Sequence, residues 1–573
     1  TKTVRKIVQL ELPRSGEHRI YMDTQFRLWI YTIYTSNLQC YDIQNRKMFE
    51  FSGKETIQSD IVKAIIDDGN GNIWIGTNSK GIYILNEQTD NLMHIHRDSG
   101  TPFSLSSNHI NSFYKDNQDI LWVGTTKQGV AFTDLNNTAF EICKTPEQED
   151  ISCFQEDRNG NLWLGFDGKG LACYDSKQKN YKLFNTHNSN IPSNLIIGSY
   201  LDSKGKMWFG SYGGGIFYEQ NGTFFPFEQI LEPIEYVRHI ADDKYGNLWV
   251  GTFMHGLYCI DNGGKITSYT KENSCLYTNT ITDLVYSSDH AMLYIGTSTG
   301  LYELNTQTRQ LAPVKGNNNK VSLTKMHISC LYRDRRGLLW IGTRHGVGIY
   351  DEKSRTLTRL STNDGVSHPY IRGIVEDHNK NMWIATDCGI THIIVVDDPT
   401  AQKLQYRCYS YFNEDGIGDI TFNNYSIYCN RKGEVLMGGT GKYLKIDPNQ
   451  ALYHPNQHKV IFTGLYLANQ RVDVEKKTHD GRILLQKNIQ LLDEITMDYS
   501  DSNFALEISA MDYGTQHKLQ FAYRMDAKEE WVSFEGNRIY FNKLSPGIYH
   551  LQVKVNELHG SRNPISYMTI LVR

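Results

Sequence analysis

Little in this 573-residue sequence points to metal, redox or nucleic-acid chemistry. None of its ten cysteines forms a Cys-x-x-Cys pair, and none stands with histidine at zinc-finger spacing. Cys173, Cys259 and Cys330 read as buried thiols within strands. Cys143 and Cys153 are near enough to meet across a short loop, and sequence does not decide whether they do. Lys and Arg total 59 against 63 Asp and Glu, a net charge of −4 with no run of one sign. That argues against nucleic acid or an anionic membrane as partners, because either would need a basic face. There is no N-terminal signal peptide and no apolar run of membrane-spanning length. The chain starts abruptly at Thr1-Lys2-Thr3 and stops at Leu571-Val572-Arg573 inside an expected strand, so it reads as a piece of something longer.

Signatures of catalysis are missing as well. No Gly-x-Ser-x-Gly, His-Glu-x-x-His, Walker loop or dinucleotide fingerprint occurs. The glycine-rich Ser211–Phe217 reads as a hairpin and opens no helix, so it does not suit phosphate. Asp67-Asp68 and Asp242-Asp243 lack the alternating oxygen ligands of a calcium loop and read as turn-closing residues. No metal and no cofactor are expected.

What the chain has is aromatic residues and glycine. Aromatics make up 12%, with 36 Tyr, 23 Phe and 47 Gly, a mix that favours strands and tight turns. A unit recurs: Asp, a polar turn, apolar-Trp-apolar-Gly-Thr, a glycine turn, then an apolar-Tyr strand. The clearest copy, Asp67 to Asn86, reads DDGNGNIWIGTNSKGIYILN. The tryptophan falls at Trp29, Trp74, Trp122, Trp163, Trp208, Trp249, Trp340 and Trp383, and Tyr294 and Leu436 replace it in two further copies. Spacings of 41 to 53 residues with four short strands per unit are the signature of propeller blades. In the clearest copy Ile61–Asp68 is the expected axial strand, followed by NIWIGT, GIYILN and the rim strand NLMHIHRD. The repeat tryptophans are expected to pack between blades.

Ten such repeats make the chain similar to the two-component regulator propellers of Bacteroides-type hybrid two-component sensors. The segment Lys459–Arg573, with FALEISAMDY from Phe504, LQFAYRMD from Leu519, Trp531 and Leu-x-Pro-Gly-x-Tyr at Leu544–Tyr549, resembles the three-tyrosine domain that follows those propellers. The resemblance implies an all-β chain of propeller blades with a C-terminal immunoglobulin-like β-sandwich. Family sensors carry two seven-bladed propellers, and ten repeats are not fourteen. Counting back seven from Leu436 gives residues 1–144 as the last three blades of an incomplete propeller, 145–457 as a seven-bladed propeller ending near Pro455, and 458–573 as the sandwich. The alternative closes a ring from the first seven repeats.

The resemblance further implies a periplasmic, ligand-sensing ectodomain of an inner-membrane histidine kinase. Its membrane segment and kinase would lie beyond Arg573, and it would form a homodimer through the C-terminal domain. An oligosaccharide ligand and control of polysaccharide-utilisation genes are expected. Candidate ligand contacts come from the turns and strand starts at one propeller face: Tyr212, Arg238, Phe253, His255, Arg344, His345, Tyr370 and Arg372, with Met254, Tyr236 and His327 nearby. Aromatic faces stack on sugar rings, and an arginine fork binds carboxylate or sulfate. No catalytic residue is expected. The competing reading is a secreted propeller lyase or glycosidase, because propellers also host enzymes.

Overall fold

The computed structural model describes residues 17–573 apart from 52, 87–90, 99–103, 136–138, 176, 179, 228–235, 316–322, 324–325, 399–402, 452–458, 479–480, 502, 511–518, 535 and 557–563. The start at Thr1–Thr3, Pro455 and the Met511–Tyr513 end of the FALEISAMDY stretch lie outside the described residues. The described chain is all-β, in sheets of three to five strands.

The repeat built on Trp74 shows how sequence becomes blade. Val62–Asp67, Asn72–Thr77, Ile82–Asn86 and Asn91–Ile95 pair antiparallel in that order. The inner strands carry apolar side chains on both faces because neighbouring sheets cover both. Gly81, at φ +86°, supplies the left-handed turn between the second and third strands. The glycine inside the second strand does something else. A Cβ at Gly251 would lie 2.8 Å from Ile281 of the next sheet, so its missing side chain lets adjacent sheets approach.

The turn aspartate and the tryptophan form one device. In every blade that has the tryptophan, its indole N–H donates to the carboxylate six residues earlier, at 2.8–3.2 Å. The pairs are Asp23–Trp29, Asp68–Trp74, Asp116–Trp122, Asp157–Trp163, Asp202–Trp208, Asp243–Trp249, Asp334–Trp340 and Asp377–Trp383. The other carboxylate oxygen accepts backbone N–H groups of the turn, as Asp243 does from Tyr245 and Asn247. Where the tryptophan is replaced the aspartate is gone too: Ser288 precedes Tyr294 and Asn430 precedes Leu436. Asn430 still serves its turn, accepting from Lys432 and Glu434 N–H, while its amide donates to the Glu434 carboxylate instead.

Two compact units emerge: Asn137–Leu452, and Thr1–Asn136 together with Tyr453–Arg573. The first holds seven four-stranded sheets. Their inner strands are Ile151–Glu156, Ile196–Leu201, Val237–Asp242, Ile281–Ser287, Ile328–Arg333, Ile371–Glu376 and Ile427–Cys429. Each lies beside the next, and the last lies beside the first, so the sheets form a ring. The seventh sheet is composite: Ile427–Cys429, Val435–Gly438 and Lys442–Ile446 are completed by Phe140–Lys144 from the start of the unit. The sequence boundary at 144 gave Phe140–Lys144 to the preceding blades. The pairing of Phe140 with Ile446 puts it in the ring instead, where it completes the hydrogen bonding of an otherwise open strand edge.

In the second unit, His18–Met22 through Lys47–Met48 and Val62–Asp67 through Asn91–Ile95 are four-stranded sheets. Ile110–Lys115, Ile120–Thr125 and Val130–Asp134 form a sheet of three. The C-terminal part has two sheets, one centred on Ile461–Leu467 and Asn503–Ser509, the other on Gly547–Val555 and Ser566–Val572. Leu465, Leu506, Leu551, Val553 and Ile570 fill its core. The Tyr549 hydroxyl donates to the Ser545 carbonyl at 2.9 Å, a corner bond of the kind known in β-sandwiches. All ten cysteines are free thiols; Cys259 and Cys330 are buried, whereas Cys173 is only half-buried.

Candidate ligand site at the ring mouth

Antiparallel pairing brings the start of each inner strand to the same end of the ring as the turn leaving its second strand. Val237 faces Thr252, Ile328 faces Thr343 and Ile371 faces Thr386. This end is the mouth. Six of the inner strands slip register at their second residue, a bulge that leaves one residue unpaired and re-aims its side chain. The bulged residues are Ser152, Ile197, Arg238, Thr282, Ser329 and Arg372.

Two side-chain groups form at the mouth. In the first, the Tyr212 and Tyr236 rings meet at 4.2 Å between centroids, and His255 stands parallel to Tyr236 at 6.2 Å. The Ser193 hydroxyl donates to the Tyr212 carbonyl, and a backbone bond ties Phe253 to Tyr236, which fixes both turns. Tyr212, Phe253 and Met254 are about half exposed, so apolar surface faces solvent.

In the second group, Tyr370 stands between two guanidinium groups, Arg372 at 4.9 Å and Arg344 at 5.8 Å from its centroid. Arg372 is already engaged, with Asp387 through Nε and with Asn424 through Nη1 at 3.0 Å. Arg344 is exposed, and among the described residues no carboxylate pairs with it. Burial, then the Arg344 charge, push His327 below the usual histidine range. His345 is also exposed at this end; its backbone N–H donates to the Thr343 hydroxyl.

Arg238 is not at the mouth surface. Its bulge turns it into the ring axis, where its guanidinium lies 4.8 Å from the centroid of Tyr425, in the turn that leads into the seventh sheet. The His239 ring meets Tyr425 edge-on at 4.7 Å and its Nδ1 lies 2.9 Å from Asp283. Tyr425 adopts φ +64° and donates its N–H to the Arg372 carbonyl, so it is fixed just beneath the second group. Burial pushes its hydroxyl well above the usual tyrosine range.

Sequence reading missed Asp387, Asn424, Tyr425, His239 and Asp283. The available signal was the 53-residue gap between Trp383 and Leu436, the longest between repeats, which carries Asn424 and Tyr425. Among the described residues no group of three or more His, Cys, Asp or Glu could hold a metal ion, and no helix is long and apolar enough to cross a membrane.

The two component regulator propeller family matches this chain at residues 56–79, 104–127, 146–168, 232–254, 322–345 and 365–388. Histidine kinase P4 of Formosa agariphila is 22% identical over 567 residues, covering 86% of this chain and 40% of that protein. The chain thus spans well under half the length of that curated relative. The crystal structure of the extracellular domain of the hybrid two component system BT3049 from B. thetaiotaomicron superposes with a TM-score of 0.74 at 25% identity. That match covers 97% of this chain and 72% of the other.

Proposed function

We propose, from the premise that this chain carries two-component regulator propeller repeats, that it is the sensing ectodomain of a membrane-bound hybrid histidine kinase. Similarity to an extracellular domain of such a system along nearly all of the chain supports that reading and a periplasmic location. Its ligand is an oligosaccharide held at the ring mouth, and its output controls polysaccharide-utilisation genes. The observation that carries the ligand reading is the pairing of exposed aromatic faces, Tyr212 and Phe253, with Tyr370 and the exposed Arg344 at one end of one ring. Sugar rings present C–H faces that stack on aromatics and hydroxyl or acidic groups that an arginine binds.

Signalling is a population shift. The ligand favours one arrangement of the ectodomain, and the C-terminal sandwich, as a homodimer, passes that bias to a membrane segment beyond Arg573. The test is calorimetric titration and thermal melting of the chain against neutral and acidic oligosaccharides, with product analysis on each hit. A bound, uncleaved oligosaccharide whose affinity falls about fivefold or more in Tyr370→Ala and Arg344→Ala supports the proposal, the loss of about 1 kcal/mol being typical of one such contact. Cleavage of the ligand would move the assignment to a propeller enzyme. Binding untouched by either substitution would refute the mouth as the site.

A further inference from the structure

Beneath Tyr425 the ring axis widens into a cavity of about 410 Å³, lined by Ser199, Arg238, His239, Asp242, Asp283 and Tyr286 among others. Asp242 ends its inner strand and Tyr286 stands next to the end of its own, so the cavity extends away from the mouth. Its size is within the range of small-molecule sites. Its polar inventory is unusual for a strand-lined core. The His239 Nε2 and the Tyr286 hydroxyl are buried atoms without a hydrogen-bond partner, and the Ser199 hydroxyl meets only the weak acceptor of the Cys153 thiol. Buried polar atoms are ordinarily paired, so two orphans beside a weakly bonded hydroxyl on one cavity point to a polar occupant.

The carboxylates cannot serve those orphans. Asp283 is bound to His239 Nδ1 and accepts the N–H groups of Leu284 and Leu331, each at 2.7 Å. Asp242 accepts from the Tyr200 hydroxyl at 2.5 Å and from the Ser203 N–H at 2.9 Å. With Nδ1 bound to Asp283, His239 turns Nε2 toward the cavity, an acceptor in the neutral ring and a donor in the protonated one. Tyr286 and Ser199 can each donate or accept, and Arg238 donates only. Two carboxylates flank the single guanidinium, so the cavity holds no surplus of positive charge and gives an anion no advantage.

We propose that this axial cavity is a second binding site, separate from the mouth, for one uncharged polyhydroxylated molecule of monosaccharide size. One ligand hydroxyl forms a hydrogen bond with His239 Nε2. Others exchange hydrogen bonds with Tyr286 and Ser199, and Arg238 donates to a ring or hydroxyl oxygen. Among the described residues nothing hydrogen-bonds to His239 Nε2, and a vicinal diol supplies donor and acceptor side by side, whichever role that nitrogen takes.

The test is calorimetric titration of the full chain with D-galactose, D-glucose, D-mannose and L-arabinose, and with D-galacturonate as the charged counterpart. The decisive variant is Tyr286→Phe, because a hydroxyl without a partner can be removed with no loss to the fold. One neutral sugar should bind, and its affinity should drop about tenfold in Tyr286→Phe, the effect of one hydrogen bond. It should drop further in His239→Phe and stay unchanged in the mouth variant Tyr370→Ala. The proposal is overturned if no neutral monosaccharide binds at millimolar concentration, if galacturonate alone binds, or if Tyr286→Phe binds as the parent does. Sensitivity to Tyr370→Ala instead would assign the sugar to the mouth and leave this cavity to water.

Discussion

The clasp between turn aspartate and tryptophan can be weighed at Asp243. Trp249 is fully buried and Asn247 nearly so. Asp243 accepts the indole N–H at 3.0 Å, the Asn247 side chain at 2.7 Å and two turn N–H groups. Asp243→Ala leaves the indole and the Asn247 amide as buried donors without acceptors, each costing about 1–3 kcal/mol, while the exposed turn at Tyr245 recovers its bonds from water. The expected loss is about 3–5 kcal/mol. Asp243→Asn should also be costly, because its amide would set a donor against the indole donor; Asn430 escapes this because the Leu436 side chain has no N–H. A double-mutant cycle with Trp249→Phe, read by chemical denaturation, should return a coupling of about 1.5–3 kcal/mol, the worth of a hydrogen bond to a charged group. Ser288→Ala, at the equivalent exposed position before Tyr294, should change stability by no more than about 0.5 kcal/mol. Additive effects of Asp243→Ala and Trp249→Phe would refute the clasp.

Three further outcomes follow from the packing. Burial pushes His392, stacked on Trp383 at 4.1 Å, down to about 3, against 6.5 in the unfolded chain. The native ring stays neutral while the unfolded ring takes up a proton, so stability is full above pH 6.5 and is lost as pH falls toward 3. That amounts to about 2 kcal/mol at pH 5, and the loss should be absent in His392→Phe when denaturation midpoints are compared across that range. Gly251→Ala should lower the melting temperature by several degrees, since the new methyl must displace Ile281 between two sheets. Deleting residues 137–144 should open the ring, seen as a loss of cooperative melting and faster proteolysis, because Lys442–Ile446 then exposes an unpaired edge.

The blade architecture was legible because a repeated interaction repeats its residues. Each tryptophan, each aspartate six positions before it and each close-packed glycine does the same work in its blade, so the period stands out in one sequence. Tyr212, Phe253 and Arg344 stand out in the sequence for a related reason, as departures from bland turns at equivalent positions. Arg238 and Phe140–Lys144 were misplaced because their positions depend on partners far along the chain. A one-residue bulge sends Arg238 inward to Tyr425, and no local pattern marks a bulge whose second residue varies from Ser152 to Ile197 to Arg372. Phe140 packs edge-on against Tyr411 and pairs with Ile446, neither of which its neighbours announce. The Asp283–His239–Tyr425 contact joins two sheets and the turn that leads into a third, and has no sequence spacing of its own.

The composite seventh sheet also sets a timetable for biogenesis. Phe140–Lys144 leaves the ribosome roughly three hundred residues before Lys442–Ile446 exists to receive it. At roughly 5–20 residues per second that is a delay of about 15–60 s. Throughout it the early sheets can form hairpin by hairpin, but the nascent ring has no last neighbour, and Phe140 and Ile142 sit on a strand with nothing to pair with. Closure of the ring therefore waits on the last strands to be made, whatever the stability of any finished blade.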